Sequence, residues 1–282
     1  MATKGNALAE VRDAEWATAW YAPLRWVGTT VAGSVSAAGR FALFLIELTR
    51  ELLPGLRYFR LIMAQARFIG VGSLPLVFLT SLFVGGVSAL QSAYQFQGAV
   101  PLVFVGTFIA KSVFIELGPV LTALVVGARV GSSFAAEIGT MRVTEQVDAL
   151  ETLAIRPVRF LAVPRLVAAF FMLPVVTVFA NTIAILGGMT VAVTRVGIST
   201  DMFTRGMKIL FNPDDIYGGL LKSFVFGTII AIEGCYYGFQ TTGGAEGVGI
   251  ATTKAVVASC VLILVADYFL AEVIFRIIFA QV

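Results

Sequence analysis

Residues 116–165 read ELGPVLTALVVGARVGSSFAAEIGTMRVTEQVDALETLAIRPVRFLAVPR, and this stretch decides the fold. It starts in an apolar run, passes through a charged segment at 141–154, and ends where the next apolar run begins. Apolar residues recur in the charged segment at the helical spacing of three and four: Val143, Val147, Leu150 and Ala154. That spacing predicts an amphipathic helix, and the segment is too short and too charged to cross a bilayer.

The helix predicted over 141–154 is expected to end before Pro157, because the residue before a proline avoids helical geometry. It would lie at one face of the membrane, between two spanning helices. Two interpretations stay open from the residues alone. The helix rests on lipid headgroups, or it transmits a push from a soluble partner to the two spans that hold it.

Long apolar runs dominate the chain on both sides of this stretch. Of its 282 residues 58% are hydrophobic and only 13% are charged, with a mean hydropathy of +0.91. Soluble domains are about 45–50% apolar, so lipid is the natural solvent for this chain. We predict five transmembrane helices, at 68–90, within 100–128, and at 166–193, 218–239 and 255–275. The fold class is therefore an all-α membrane protein.

The first 66 residues have a different composition. Trp16, Trp20, Tyr21 and Trp26 cluster there among arginines. Aromatic and basic residues together are typical of helices at the membrane surface, so we predict cytoplasmic or interfacial N-terminal helices in 1–66 and a transmembrane domain in 67–282. A soluble helical hairpin is the alternative. We expect no cleavable signal peptide, because the first strongly apolar run is short and begins only at residue 41.

The distribution of Lys and Arg orients the five spans. With the N-terminus in the cytoplasm, most basic residues fall on that side. The outside receives few: Arg195, Arg205, Lys208 and Arg276. The excess of positive charge inside predicts a cytoplasmic N-terminus and a C-terminus on the opposite side.

Several classes of function are disfavoured by what the sequence lacks. It has no His, which excludes a His-based metal site or catalytic triad. No Gly-x-x-x-x-Gly-Lys-Ser/Thr motif occurs, so ATP cannot bind here through a standard phosphate-binding loop. Lys and Arg form no dense face of the kind that binds nucleic acid. We expect no enzyme, and no metal or cofactor in this chain.

Two features of the second predicted span indicate specific contacts. Glu116 is a carboxylate inside the membrane, where such groups usually face a cavity or a partner, although a satisfied packing role is the alternative. Gly127 and Gly131 have the small-x-x-x-small spacing that lets another helix approach closely, a weak signal by itself.

The run ELGPVLTAL, followed by GARVGSSFAAEIGTMRVTEQVDALETL and LAVPR, resembles the signature of the MlaE-type (MlaE/YrbE) permeases, the membrane subunits of phospholipid ABC transporters. The ATTKAVVAS segment at 251–259 is similar as well. The resemblance implies a homodimer of permeases in the bacterial inner membrane, carrying two cytoplasmic ATPase subunits that hold ATP and Mg. It also implies phospholipid exchange with a periplasmic ring of MCE-domain proteins, and a role in outer-membrane lipid asymmetry.

The resemblance also assigns roles to residues. The helix between spans two and three is similar to the coupling helix that docks on the ATPase, with candidate residues Arg142, Glu145, Gln146, Asp148 and Leu150. The outer end of the first span and the intramembrane glutamate are similar to the lining of the lipid cavity, with candidates Leu90, Tyr94, Gln95, Phe96 and Glu116. Some relatives carry an Arg directly before that glutamate, where this chain has Ile115.

Two alternatives belong to other classes. A proton-coupled secondary transporter would use Glu116, Glu233 and Asp267 as proton carriers. An intramembrane enzyme is disfavoured because no Ser–Lys or paired-Asp arrangement is recognisable. Glu233 and Asp267 pair with Lys222 or Lys254, or cap helix ends. The direction of transport and the preferred headgroup are left open.

Overall fold

The computed structural model describes residues 32–33, 35–96 and 100–279, and these ranges contain helices and no strand. The chain divides into two compact units, 1–50 and 51–282. The first described helix, α1, covers 35–55. The aromatic cluster predicted to lie at the membrane surface, Trp16 to Trp26, falls outside the described residues, and the division of the chain at residue 66 stays a prediction.

Eight further helices follow α1 in the described ranges. They are α2 (Phe59–Gln95), α3 (Phe104–Ser112), α4 (Gly118–Val143), α5 (Gln146–Thr152), α6 (Val163–Val191), α7 (Thr200–Ile209), α8 (Pro213–Phe239) and α9 (Gly244–Phe279). Wider π-helical turns join α3 to α4 at Val113–Leu117, precede α6 at Val158–Ala162 and follow it at Ala192–Val196.

Five of the continuous helical stretches are long and apolar enough to cross a membrane. Spans 1 to 5 are Phe59–Gln95, Phe104–Val143, Val158–Val196, Pro213–Phe239 and Gly244–Arg276. The prediction of an all-α membrane protein with five spans is confirmed. The helices extend past the predicted apolar cores because polar residues at their ends, such as Glu137 and Arg142 in span 2, remain helical.

Small residues bring the spans close together. Gly85 of α2 lies directly against the backbone of Ala184 of α6. Gly127 and Gly131 face α8, where an added Cβ would lie 3.2 Å and 3.7 Å from side-chain carbons of Ile230. The predicted glycine pair thus packs against span 4 of the same chain. Close approach of this kind is how membrane helices gain van der Waals contact.

Helix α7 was not predicted from the sequence. Ser199 caps it by accepting a 3.1 Å hydrogen bond from the backbone N–H of Met202. Its buried Phe203 and Gly206 pack on α3, where the Thr107 hydroxyl donates to the Gly206 carbonyl. The helix is short and mostly polar, so the search for long apolar runs passed over it. It lies at the end of the bundle where span 2 begins, which we call the Phe104 end.

The prediction of a single helix over 141–154 was wrong. Helix α4 runs to Val143, the chain turns at Thr144 and Glu145, and α5 covers only Gln146–Thr152. Glu145 has a left-handed backbone with φ 59°, which ends the first helix and redirects the second. The turn separates the end of span 2 from the short helix that follows it. Arg142 therefore belongs to the end of span 2.

Candidate functional site

An ion cluster joins three spans in the interior of the bundle. Lys222 of span 4 is 1% exposed, and its Nζ donates a 2.6 Å hydrogen bond to Glu116 Oε1 of span 2. Asp267 of span 5 places Oδ1 2.9 Å from the same Nζ, at an angle outside hydrogen-bond geometry. The open question of Asp267 is thereby answered, since its partner is Lys222.

The cluster has more acid than base. Two carboxyl groups face one amino group, so Lys222 has more than one acidic partner. A charge buried in apolar surroundings is costly unless it is paired, and Lys222 is paired twice. Glu233 in span 4 is also buried, but no ion pair to it occurs within the described ranges.

The local backbone places Glu116 in this cluster. Glu116 lies in the π-helical turn Val113–Leu117, which adds a residue to the turn and rotates the side chains that follow. The next residue but one, Gly118, lies against the Asn181 side chain of α6, and a Cβ there would collide with it. π-helical turns are frequent at functional sites, and this one carries the intramembrane carboxylate that the sequence singled out.

Glu116 also lines an open cavity of about 520 Å³ at the Phe104 end of span 2, which we call the large cavity. Its walls are formed by Phe96, Val100, Phe104, Thr107, Phe108, Lys111, Ser112, Ile115, Glu116, Leu210 and Phe275. Of the residues expected to line a cavity, Phe96 and Glu116 do so. Leu90, Tyr94 and Gln95 are exposed and are not part of this wall.

A second, smaller cavity of about 50 Å³ adjoins the first. The two share Lys111, Ile115 and Phe275, and the small cavity is also lined by Asp214, Asp215, Gly218, Gly219, Lys222, Ala271 and Ile274. Lys111 Nζ lies 3.1 Å from Asp215 Oδ2. The walls are thus mainly apolar, and their charged groups are Lys111, Asp214, Asp215, Glu116 and the buried Lys222.

The opposite end of span 2 carries α5. Val147 is buried and anchors α5, whereas Gln146 and Asp148 are exposed and Leu150 is half-buried. Asp148 accepts a hydrogen bond from Arg142 at the end of α4. The predicted residues are therefore together at one end of the bundle, and most of them present polar groups to the surroundings.

Sequence reasoning missed three arginines that hold this end of the bundle. Glu51, 2% exposed, accepts hydrogen bonds from Arg156 and, at 2.5 Å, from Arg159. The Arg159 hydrogen bond, against the opposing effect of burial and helped by Arg156, holds the pKa of Glu51 below its usual value. Arg165 likewise donates to Glu137 at 2.7 Å. These pairs connect the ends of spans 2 and 3 and residue 51. Their only sequence signal was the group of arginines around Pro157.

Comparison with known proteins identifies the family. The chain matches the family described as Permease MlaE over residues 62–273. A probable ABC transporter permease protein of Rickettsia bellii is 39% identical over 251 residues, which are 89% of this chain and 97% of that protein. A probable ABC transporter permease protein of Synechocystis sp. is 42% identical over 75% of this chain and 81% of that protein. Protein TRIGALACTOSYLDIACYLGLYCEROL 1, chloroplastic, of Arabidopsis thaliana is 36% identical over 82% of this chain and 66% of that protein. With most of its length matched in this way, the chain belongs to the MlaE permease family and is a multi-pass membrane permease.

Proposed function

We propose that this chain is the membrane-spanning subunit of an ABC transporter that moves phospholipid between the bacterial inner membrane and a periplasmic MCE-type lipid carrier. A separate cytoplasmic subunit binds ATP and Mg and supplies the energy. In this arrangement the Phe104 end of the bundle faces the periplasm, and α5 faces the cytoplasm.

The observation that carries the proposal is the composition of the large cavity. Most of its wall is aromatic or aliphatic, and the polar side chains on it are Thr107, Lys111, Ser112 and Glu116. A phospholipid needs this combination, because its acyl chains require apolar contact while its headgroup requires charged or hydrogen-bonding partners. The name of the Arabidopsis relative contains that of a glycolipid, which agrees with a lipid substrate.

The exposed side of α5 suits a docking site for the ATPase. Glu145, Gln146 and Asp148 present polar groups there, and the neighbouring Leu153 is 70% exposed. The segment is short, is held between two spans and presents polar groups on its exposed side, which suits contact with a soluble partner. Relatives named as ABC transporter permeases support ATPase partners, and we extend the proposal to two ATPase subunits on a homodimer of this chain.

Purification of the protein in mild detergent, with its genomic neighbours co-expressed, tests the proposal. Mass spectrometry is expected to find an ATPase subunit and bound phospholipid. In proteoliposomes, fluorescent phospholipid is then expected to exchange with a soluble MCE-domain carrier only when ATP is present. A matched complex with an ATPase that cannot hydrolyse ATP is the control. Transport that follows a proton gradient without any ATPase would instead establish the secondary-transporter alternative.

A further inference from the structure

Lys111 and Asp215 form an ion pair on the wall between the two cavities. Lys111 lies in α3 and borders both cavities, whereas Asp215 lies in the first turn of α8 and borders the small one. Their charged atoms are 3.1 Å apart, and the side chains are 39% and 13% exposed. Lys111 therefore faces a ligand in the large cavity directly, and Asp215 lies beside it on the wall of the adjoining small cavity. Lys222, in contrast, is 1% exposed.

Other charged groups near the pair are mostly acidic. Asp214 lines the small cavity beside Asp215, and Glu116 lines the large cavity about one helical turn below Lys111. The one other ammonium that borders these cavities, Lys222, is already engaged by Glu116 and Asp267. A ligand entering the large cavity thus meets one accessible cation, with a carboxylate directly beside it.

We propose that Lys111 and Asp215 select a zwitterionic phospholipid headgroup, with Lys111 binding the phosphate and Asp215 binding the headgroup ammonium. This inference rests on the proposed function and specifies the substrate class of the same cavity. Phosphoethanolamine carries its phosphate and its ammonium on either side of an ethylene linker, so both charges can reach neighbouring partners at once.

Electrostatics favour a zwitterion over an anion at this position. An anionic headgroup such as phosphoglycerol gains one contact with Lys111 but adds net negative charge beside Asp214 and Asp215. Uncompensated charge is costly where apolar walls lower the local dielectric. A zwitterionic headgroup leaves the net charge of the site unchanged. It replaces the Lys111–Asp215 ion pair with two pairs, Lys111 with the phosphate and Asp215 with the ammonium. Asp215 therefore disfavours an anionic headgroup as well as favouring a zwitterionic one.

The apolar wall continues directly from the ion pair. Phe104 and Phe108 precede Lys111 on the same helix and line the large cavity. Ile115 and Phe275 line both cavities. A headgroup held at Lys111 therefore places the glycerol and the first acyl carbons against aromatic and aliphatic side chains. The charged pair and the wall together fit one amphiphile.

The test is competition between two lipids. The intact permease complex is equilibrated with detergent micelles containing equal amounts of phosphatidylethanolamine and phosphatidylglycerol, and the bound lipids are counted by mass spectrometry. We expect the wild type to retain phosphatidylethanolamine in several-fold excess. Asp215→Asn is expected to shift the bound ratio toward phosphatidylglycerol by about threefold to tenfold, as for loss of one partly desolvated charge contact. Lys111→Gln is expected to lower the occupancy of both lipids.

Arg205→Gln and Asp201→Asn are the matched controls, because they remove an exposed ion pair of α7 that lines neither cavity, and they should leave the ratio unchanged. Equal retention of both lipids by the wild type overturns the inference without any variant, and so does an unchanged ratio in a folded Asp215→Asn protein. A complex that binds no phospholipid contradicts the proposed function itself, whereas bound lipid without headgroup preference contradicts this inference alone.

Discussion

Glu145 and Ala154 adopt left-handed backbone conformations on either side of α5, with φ of 59° and 58°. An L-residue pays roughly 1–2 kcal/mol for this conformation, and neither position is a glycine. The two reversals set the direction in which α5 leaves span 2 and the chain enters span 3. This backbone strain lies in the segment proposed to contact the ATPase. Strained backbone conformations are concentrated at functional sites.

Ala154→Gly is expected to raise the free energy of unfolding by up to about 1 kcal/mol, because glycine takes a positive φ without a Cβ clash. Ala149→Gly, inside α5, makes the same chemical change at a helical position and is expected to lower stability by about 1 kcal/mol. Thermal unfolding of both variants in detergent checks the pair. Shifts of the same sign would contradict the left-handed assignment.

Reversing charge at Glu145 and Asp148 together tests the role of α5. Lysine at both positions removes the Arg142–Asp148 pair and makes an acidic surface basic, so ATP hydrolysis is expected to become uncoupled from lipid transport while the membrane fold stays intact. ATPase activity and transport are measured on the same proteoliposomes. Lysine at Asp201 and Glu246, two exposed acids outside α5, is the control. Normal ATPase pull-down and normal transport in the α5 variant would show that α5 is not the coupling element.

Lys222→Met leaves Glu116 and Asp267 facing each other without their cation. Breaking a buried ion pair from one side costs about 3–5 kcal/mol, so we expect a large loss of thermal stability. Neutralising the partners as well, in Lys222→Met with Glu116→Gln and Asp267→Asn, should restore much of it. Lys254→Met, at an exposed position of α9, is expected to stay within about 0.5 kcal/mol of wild type. If the triple variant were no more stable than Lys222→Met alone, unpaired charge would not be the cause of the stability loss.

The five spans could be predicted from the sequence, whereas the ion-pair partners inside the bundle could not. Apolar runs specify the five spans because lipid requires long uncharged helices, and Glu116 is notable for breaking such a run. Which cation meets Asp267 depends on how the helices rotate about their axes, so Lys222 and Lys254 could not be separated beforehand. The π-helical turn at Val113–Leu117 changes that rotation, and no residue pattern announced it. Lys111 was passed over for a related reason, since Asp215 approaches it only after α8 packs beside span 2 at the π-helical turn Val113–Leu117.

The Glu51 ion pairs predict a pH dependence. The pKa of Glu51 is lowered in the folded protein, so its contribution to stability is complete above the unfolded pKa of about 4.3 and is lost as pH falls through the lower folded value. Glu51→Gln should cost about 1–3 kcal/mol near pH 6, because two arginines lose a charged acceptor. The difference between wild type and variant should shrink when unfolding is repeated at pH 4 and pH 3. Glu151→Gln, at an exposed position of α5, is the control. If the stability difference between wild type and Glu51→Gln grew on acidification, the pKa of Glu51 would be raised in the folded protein and not lowered.

Spans 1 and 3 approach closely at Gly85, where an added Cβ would collide with the Ala184 carbonyl and lie 2.9 Å from the Ala184 Cα. The obstacle is backbone, so side-chain rotation cannot relieve it, and Gly85→Ala must push α2 away from α6. We expect a loss of about 1–3 kcal/mol, as for overpacking of a tight interior. Gly131→Ala is the matched control from the pair that the sequence singled out, because its nearest neighbour, Ile230 Cγ2, would lie at an ordinary contact distance of 3.7 Å. Thermal unfolding of the two variants ranks the interfaces directly, and equal stability would mean that α2 and α6 are further apart than described. A larger loss of stability for Gly85→Ala than for Gly131→Ala would show that helix packing depends on backbone contact at Gly85. The small-x-x-x-small spacing of Gly127 and Gly131 would then not mark the tighter interface.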